Sequence, residues 1–527
     1  MACCRSGTTK EMPQIAPLPS GMKIGKRFRV PPVSKMRGRT PTWLYIFAAT
    51  SALLAVVALG GALAWSRIFD SVLASQLKLT PNSRSFQNWV APSVPLYFDI
   101  YLFNWTNADM FPEKPVLNQI GPFSFREERV HVNVTFNENG TMSYRTHRRW
   151  YFDEERSNGN LEDEITSING VAASAAYRAR SWGYLQQKGL SIGLKMFKQQ
   201  FSVTKTASEL LFEGYNDSLL DLAKSLPAST TGGAPPVDKF GWFYGRNDTL
   251  DTDGYMEITT GQHRGTVPGQ IVRWNFEDHL PYYSGECSKL LGSAGEFVPR
   301  NLTEESVFTM FVPDLCRTVN MDYVESGEVE GLNYHKYALS QRSFDNSTVS
   351  SANTCFCNGP CAWSGVMNVS ACRYDSPAFI SLPHFLYGDE LRSLVDGMYP
   401  DPELHDFYFA VEPKLGIPVE VAARFQLNMF IDSVENVDLY SNVPRMLFPI
   451  FWVEQKVQME YRVLEELKYV RAILDWGAVV CACAALFFAI LVAIATCWAR
   501  KPQYLKTELL TSFEKPKDEA ELKLNPK

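Results

Sequence analysis

Six cysteines fall close together in the middle of this chain, at Cys287, Cys316, Cys355, Cys357, Cys361 and Cys372. An even set of this kind reads as three disulfides in an oxidising compartment. Zinc is the rival for Cys355, Cys357, Cys361 and Cys372, yet C-x-C followed by intervals of three and ten residues is poor finger spacing, and the compartment is wrong. A second constellation is basic. Arg178, Arg180, Lys188, Lys195, Lys198 and Lys205 stand between Val171 and Lys205 with no acidic residue among them. Such a run either concentrates anionic ligands or is a solvated helix face with counter-charges from other segments, and both readings stand at this point. A third pattern is the glycan acceptor N-x-[ST], at Asn104, Asn133, Asn139, Asn216, Asn247, Asn301, Asn346 and Asn368.

Catalytic motifs are missing. There is no H-E-x-x-H, G-x-S-x-G or G-x-x-x-x-G-K-[ST], and the seven histidines are spread singly from His131 to His405. Asp251-Thr252-Asp253-Gly254 resembles part of a calcium loop, but Thr249 and Thr260 would occupy positions that need carboxylates, so it reads as a turn. No enzyme activity, cofactor or metal is expected.

The elements that position these residues are set by two uncharged apolar runs, residues 42–65 and 476–498. As helices of 24 and 23 residues they would reach about 35 Å, enough for a hydrocarbon core of about 30 Å. Trp43, Tyr45, Trp65, Trp476 and Trp498 sit at their ends, where amphipathic rings favour the headgroup layer. Nine basic residues against Glu11 precede the first run, and Arg500 and Lys501 follow the second, which puts both termini in the cytosol. Residues 66–475 then form one large ectodomain facing the cell exterior or an organelle lumen. All eight sequons and the six clustered cysteines lie in it.

The tails, 1–41 and 499–527, carry little structure in their sequence. The first is basic and proline-rich, drawn to anionic lipid. Cys3, Cys4 and Cys497 lie near the cytoplasmic membrane face and are palmitoylation candidates, with plain thiols the alternative. Cys481 and Cys483 read as packing residues. Glu508-Leu509-Leu510 is a weak dileucine-like signal, its acidic residue adjacent to the leucines.

The fold class predicted for the ectodomain is α+β. Alternating stretches at 123–134, 269–276 and 419–430 predict strands of a mostly antiparallel sheet. Residues 165–226, rich in Ala, Leu, Lys, Gln and Ser, predict a helical insertion, and 65–79 and 454–476 predict helices continuing the spans. The proline-bearing stretch 227–236 reads as a surface loop. Removing the tails' sixteen basic and six acidic residues from totals of 51 and 57 leaves 35 against 51, a net of about −16. A nucleic-acid partner is not expected of such a surface.

Eight ordered blocks resemble the class B scavenger receptor family. They are Asn88-Trp89 through Tyr97, Phe103-Asn104-Trp105-Thr106-Asn107, Gln119-Ile120-Gly121-Pro122-Phe123, and Gly241-Trp242-Phe243-Tyr244-Gly245-Arg246-Asn247-Asp248-Thr249. Cys355-Phe356-Cys357, Ser364 through Cys372, Ser381-Leu382-Pro383-His384-Phe385 and Arg424-Phe425-Gln426-Leu427-Asn428 complete the series. The resemblance implies an antiparallel β-barrel-like core crossed by an apolar tunnel, with a helical bundle at the apex where ligands bind. It implies disulfides Cys287–Cys355, Cys316–Cys372 and Cys357–Cys361, and it favours function for the basic run, with Lys195 and Lys198 nearest the apical lysine region of relatives.

The function so implied is a cell-surface receptor. It would capture lipoprotein particles or anionic phospholipid surfaces and pass fatty acid, sterol or carotenoid through the tunnel to the membrane, lowering the cost of carrying each CH2 across water by about 0.8 kcal/mol. The alternatives are a lysosomal or endosomal sorting receptor for a hydrolase, and an apoptotic-cell or pathogen receptor. A homo-oligomer stays open. An ion-channel subunit would line its pore with polar or small residues, whereas these spans are mostly Ala, Leu, Val and Phe. An ectonucleotidase would need phosphate-cradling turns beside carboxylates, which the sequence lacks.

Overall fold

The structure is a computed structural model and describes residues 42–513 except 93, 226–236, 251, 264, 349 and 358–360, with only the helical course given over 501–513. Cys3, Cys4, the tail 1–41 and the loop 227–236 lie outside the described residues, as do the side chains of Glu508-Leu509-Leu510. The longer helices are α1 (Thr42–Leu77), α2 (Arg84–Val90), α3 (Gly170–Ala179), α4 (Tyr184–Met196), α5 (Ser218–Ser225) and α6 (Tyr461–Phe513).

α1 and α6 are long and apolar enough to cross a membrane. Their large apolar side chains face outward, as Leu63 at 82 % and Leu486 at 64 % exposure show, which is stable only in a hydrocarbon solvent. The chain divides into two compact units. One holds α1 up to Gly61 and α6 from Val480, where Cys481 Sγ lies 3.6 Å from the position a Cβ on Gly61 would take. The other runs from Ala62 to Val479.

This second unit is built on fifteen described strands. They are β1 (Leu96–Trp105), β2 (Leu117–Phe136), β3 (Thr141–Phe152), β4 (Glu164–Ile168), β5 (Ser202–Thr206), β6 (Tyr255–Thr259), β7 (Ile271–Trp274) and β8 (Val307–Val312). β9 (Arg317–Val329), β10 (Leu332–Leu339), β11 (Met367–Asn368), β12 (Ala378–Ser381), β13 (Tyr408–Glu412), β14 (Ile417–Ile431) and β15 (Met446–Gln458) follow. Thirteen form one antiparallel sheet along the path β7-β6-β3-β2-β1-β15-β14-β13-β10-β9-β8, with β12 and β11 attached to β14. β1 pairs with β15, Asp99 opposite Glu454 and Leu102 opposite Phe451, so the two ends of the ectodomain sequence meet at the centre of the sheet.

The two edges of this sheet are joined by a strap at Gly292–Ala294. On one side Ile271 N–H donates to Gly292 O at 2.9 Å and Ala294 N–H to Gly269 O at 3.0 Å. On the other, Ser293 N–H donates to Thr309 O at 3.0 Å and Phe311 N–H to Ser293 O at 2.8 Å. A near-barrel results, its edges covered as unpaired strand edges need to be. Gly292 has φ +80° and a Cβ there would stand 2.1 Å from Thr309 O, so a side chain does not fit.

The predicted strands at 123–134, 269–276 and 419–430 fall on β2, β7 and β14. Two predicted helical stretches differ. Residues 165–226 open with β4, which pairs antiparallel with β5, Ile165 opposite Lys205, so the insertion is helices on a two-stranded ribbon. β-branched Ile165, Thr166, Ile168, Val203, Thr204 and Thr206 suit that ribbon, and the strongly helical residues between them masked it. Residues 454–458 also remain strand, because Glu454–Gln458 pair with Arg424–Glu420 of β14, and α6 begins at Tyr461.

The main core joins barrel and insertion, with Trp105, Phe103, Phe123 and Phe448 fully buried and Tyr101 stacked on Trp452 at 3.9 Å. At the Gln119–Phe123 block Gly121 has φ +126° in a bulge opposite β1, where an added Cβ would meet Ile100 O at 2.7 Å.

Candidate functional site: the outer face of α4

α3 starts at an Asn169 cap, whose Oδ1 accepts from Ala172 N–H at 3.1 Å, and its alanines pack into the core. α4 begins after Gly183, whose N–H donates to Gln186 Oε1 at 3.1 Å, and ends as Lys198 turns to φ +52°. One face of α4 is fastened down. Gln187 Nε2 donates to Ala179 O at 2.9 Å, Asn436 Nδ2 donates to Gln187 Oε1 at 2.8 Å, and Asp438 N–H donates to Ser191 Oγ at 3.0 Å.

The opposite face is apolar and open. At 100° per residue Leu185, Ile192 and Met196 share an arc of about 40°. They are 82 %, 67 % and 65 % exposed, and Tyr184 is 62 % exposed beside them. Lys188 and Lys195 lie about 60–80° to the same side. A ridge of aliphatic residues pointing at solvent with cations along one flank is the pattern of a surface meant to be covered.

The six basic residues do not act as one patch. Arg178 is half-buried and donates to Tyr374 O in the cystine-rich segment; burial pushes its pKa down, with Asp375 opposing. Arg180 folds over the Tyr177 ring, 3.5 Å from its centroid. Lys188 pairs with Asp438 at 3.2 Å and holds that carboxyl below its usual range. Lys205 sits on β5, 3.6 Å from Glu209. Lys195 and Lys198 are exposed and have no carboxylate within 4.0 Å among the described residues. Basic count alone hid this division, and it overlooked Leu185, Ile192 and Met196, whose seven- and four-residue spacing was the available signal.

A second concentration of polar groups lies inside the barrel wall and uses three of the sequence blocks, those at Gln119, Ser381 and Arg424. Ser381, Gln426 and Asn428 are fully buried, and Arg424 and His384 nearly so. Gln426 Oε1 accepts from His384 N–H at 2.7 Å, Gln426 Nε2 donates to Asn428 Oδ1 at 2.7 Å, and Asn428 Nδ2 donates to Ser381 Oγ at 3.0 Å. His384 Nδ1 accepts from Tyr399 N–H at 3.1 Å, which leaves its Nε2 to donate to Gln119 Oε1 at 2.7 Å. Gln119 also accepts from Trp452 Nε1 at 2.7 Å. Arg424 pairs with Glu454 at 2.7 Å and donates to Asp406 O at 3.0 Å.

His405 stands 4.5 Å from His384, ring to ring, and accepts from Asp401 N–H at 2.8 Å. Burial, and for His384 also the neighbouring His405, lowers the pair to about 3 for His384 and about 4 for His405. Burial raises Asp406 to about 6. Every link here is internal, so these blocks hold the wall together.

The cysteines form Cys287–Cys355, Cys316–Cys372 and Cys357–Cys361. Cys481, Cys483 and Cys497 are free thiols on α6, and Cys497 is exposed. Among the sequons, Asn133, Asn139, Asn216, Asn247 and Asn301 are exposed and Asn104, Asn346 and Asn368 partly buried. Asn104 accepts from Thr166 N–H at 2.8 Å, and Asn247 bonds both Trp150 N–H, at 2.9 Å, and Trp150 O, at 3.2 Å, as a strand neighbour would.

The CD36 family model matches residues 48–499. The chain is 35 % identical to protein peste of Drosophila melanogaster over 82 % of its own length and 78 % of that protein's. It is 32 % identical to scavenger receptor class B member 1 of Rattus norvegicus over 74 % of this chain and 75 % of the other. To lysosome membrane protein 2 of Mus musculus it is 30 % identical, over 77 % and 84 % of the two chains.

Proposed function

The chain belongs to the CD36 family, and from that premise we propose that it is a lipid-handling receptor whose α4 face captures lipid particles. The captured surface is a lipoprotein particle or an anionic phospholipid membrane, and single lipids pass from it along the inside of the barrel to the bilayer that holds α1 and α6. The receptor works at the plasma membrane with both termini cytoplasmic, by binding and transfer without a catalytic step.

The observation that carries this reading is the α4 face itself. Burying Leu185, Ile192 and Met196 in an acyl layer returns about 1.5–3 kcal/mol each, before the cost of association. Lys195 and Lys198 add about 1 kcal/mol apiece near an anionic surface. A protein partner needs matched pockets for such a ridge, while a fluid lipid surface accepts it as it stands.

Reversing the charge in K195E/K198E is expected to lower capture of phosphatidylserine vesicles by about tenfold or more, with surface expression unchanged. Unchanged capture would remove the two lysines from the account. Retention of the untagged receptor in lysosomes, with a bound hydrolase, would favour the sorting role instead.

A further inference from the structure

Arg317 opens β9 directly after the half-cystine Cys316, and only 3 % of the residue reaches solvent. Its guanidinium carbon stands 3.4 Å from the centroid of the Phe356 ring. That ring is held from both sides, by the Cys287–Cys355 and Cys357–Cys361 disulfides, and Tyr283 meets it edge-on at 5.0 Å. No carboxylate lies within 4.0 Å of Arg317 among the described residues, and its Nε is buried without a hydrogen-bond partner. Burial pushes its pKa down to about 10, which leaves the group charged at neutral pH.

A covered charge without a counter-charge is among the costliest things a fold can hold. Stacking on Phe356 offsets only part of that cost, since an aromatic face returns less than desolvation takes. Water can accept from the guanidinium N–H groups but leaves the charge uncompensated, whereas an anion does both.

The surroundings do not supply the missing charge. Arg373, beside the half-cystine Cys372, donates to Asp314 O at 2.8 Å and to Asp314 Oδ1 at 3.3 Å, and Arg246 donates to the same Oδ1 at 2.7 Å. Despite burial, Arg246 and Arg373 hold Asp314 well below the usual carboxylate range. One carboxylate thus answers two guanidinium groups, and Arg317 is a third. Tyr283 lies within the field of both Arg317 and Arg373, yet burial raises its pKa, so it stays a neutral phenol donating to Asn368 O at 3.4 Å. A covered spot with surplus positive charge and a narrow opening selects a small anion over a bulky one.

We propose that Arg317, stacked on Phe356 among the cystines, is the binding site for one small inorganic anion of the size of chloride. The anion serves as the counter-ion of the cystine-rich segment, so the stability of that segment follows the anion content of the compartment the ectodomain faces. Lipid capture by α4 does not enter the proposal.

The test follows thermal unfolding of the full chain in a non-ionic detergent, in sodium chloride and in sodium gluconate at equal ionic strength. The wild type is expected to melt at least about 2 °C higher in chloride, with a shift that saturates as chloride is raised and that bromide reproduces. R317M keeps most of the side-chain volume without the charge, and it should melt at the same temperature in both salts. No chloride effect in the wild type, or a chloride effect that R317M retains, overturns the proposal. If R317M does not fold, R317K decides, because it keeps a charge without the planar fork and should need a severalfold higher chloride concentration for half the shift. An unchanged midpoint in R317K then overturns the proposal.

Discussion

The α4 face and the polar network behind β14 are both built from residues whose chemistry is easy to notice, and they use it in opposite ways. On and just past α4, Lys195 and Lys198 have no carboxylate within 4.0 Å among the described residues, Lys195 adding only at longer range to the lowering of Asp438, and Leu185, Ile192 and Met196 stand in water. Behind β14, Arg424, Gln426, Asn428, Ser381 and His384 are buried and bonded to one another or to their neighbours. The first leaves interactions unspent, which is what the proposed capture surface requires. The second has its interactions completed, as a scaffold does, although it is the second that holds three of the blocks by which the sequence resembles the family.

That contrast is most easily broken at Arg424. Its removal strands Glu454 and the carbonyls of Glu403 and Asp406 inside the wall, so R424A should cost about 3–5 kcal/mol and abolish surface expression. A well-expressed R424A receptor with an unchanged melting temperature would mean the network is not scaffold.

Acidification probes the same network more gently. His384 and His405 are held near 3 and 4 against an ordinary 6.5, so the unfolded chain binds protons first as pH falls and their contribution, full above about 6.5, is lost on the way down. Asp406, raised to about 6, works the other way and adds stability as pH falls below that value. Two groups outweigh one, and the melting temperature should drop by several degrees between pH 7 and pH 4.5. H405Q should flatten this slope and D406N should steepen it. A thermal shift series over pH reads both.

The smallest effect on stability belongs to α4. L185S/I192S should change the melting temperature by less than about 1 °C, or raise it, because the side chains are already in water. The same variant should reduce lipoprotein capture severalfold. Equal losses of capture and of folded protein would erase the distinction between the two regions.

Much of this was legible in the sequence. The spans followed from uncharged runs, and β2, β7 and β14 from alternation, because those signals are local. The ribbon of β4 and β5 was hidden, since Ile165 and Lys205 are forty residues apart and only tertiary pairing puts them side by side. The basic run was legible as charge, and Glu209, four residues after Lys205, was a readable partner, but pairing with Asp438 and Tyr374 O is set by segments arriving from elsewhere, and only the fold shows which cations are spare. The blocks at Gln119, Ser381 and Arg424 stood out as pattern while their meeting place did not.

The strap at Gly292–Ala294 gives the barrel a seam. A hoop of staves yields where its overlap is shortest, and here β7 and β8 are joined through three residues and four backbone bonds, whereas β14 and β15 are matched along twelve positions. The first breathing motion under heat is therefore expected at that join. The girth of the barrel is governed from there, far along the chain from the exposed face of α4.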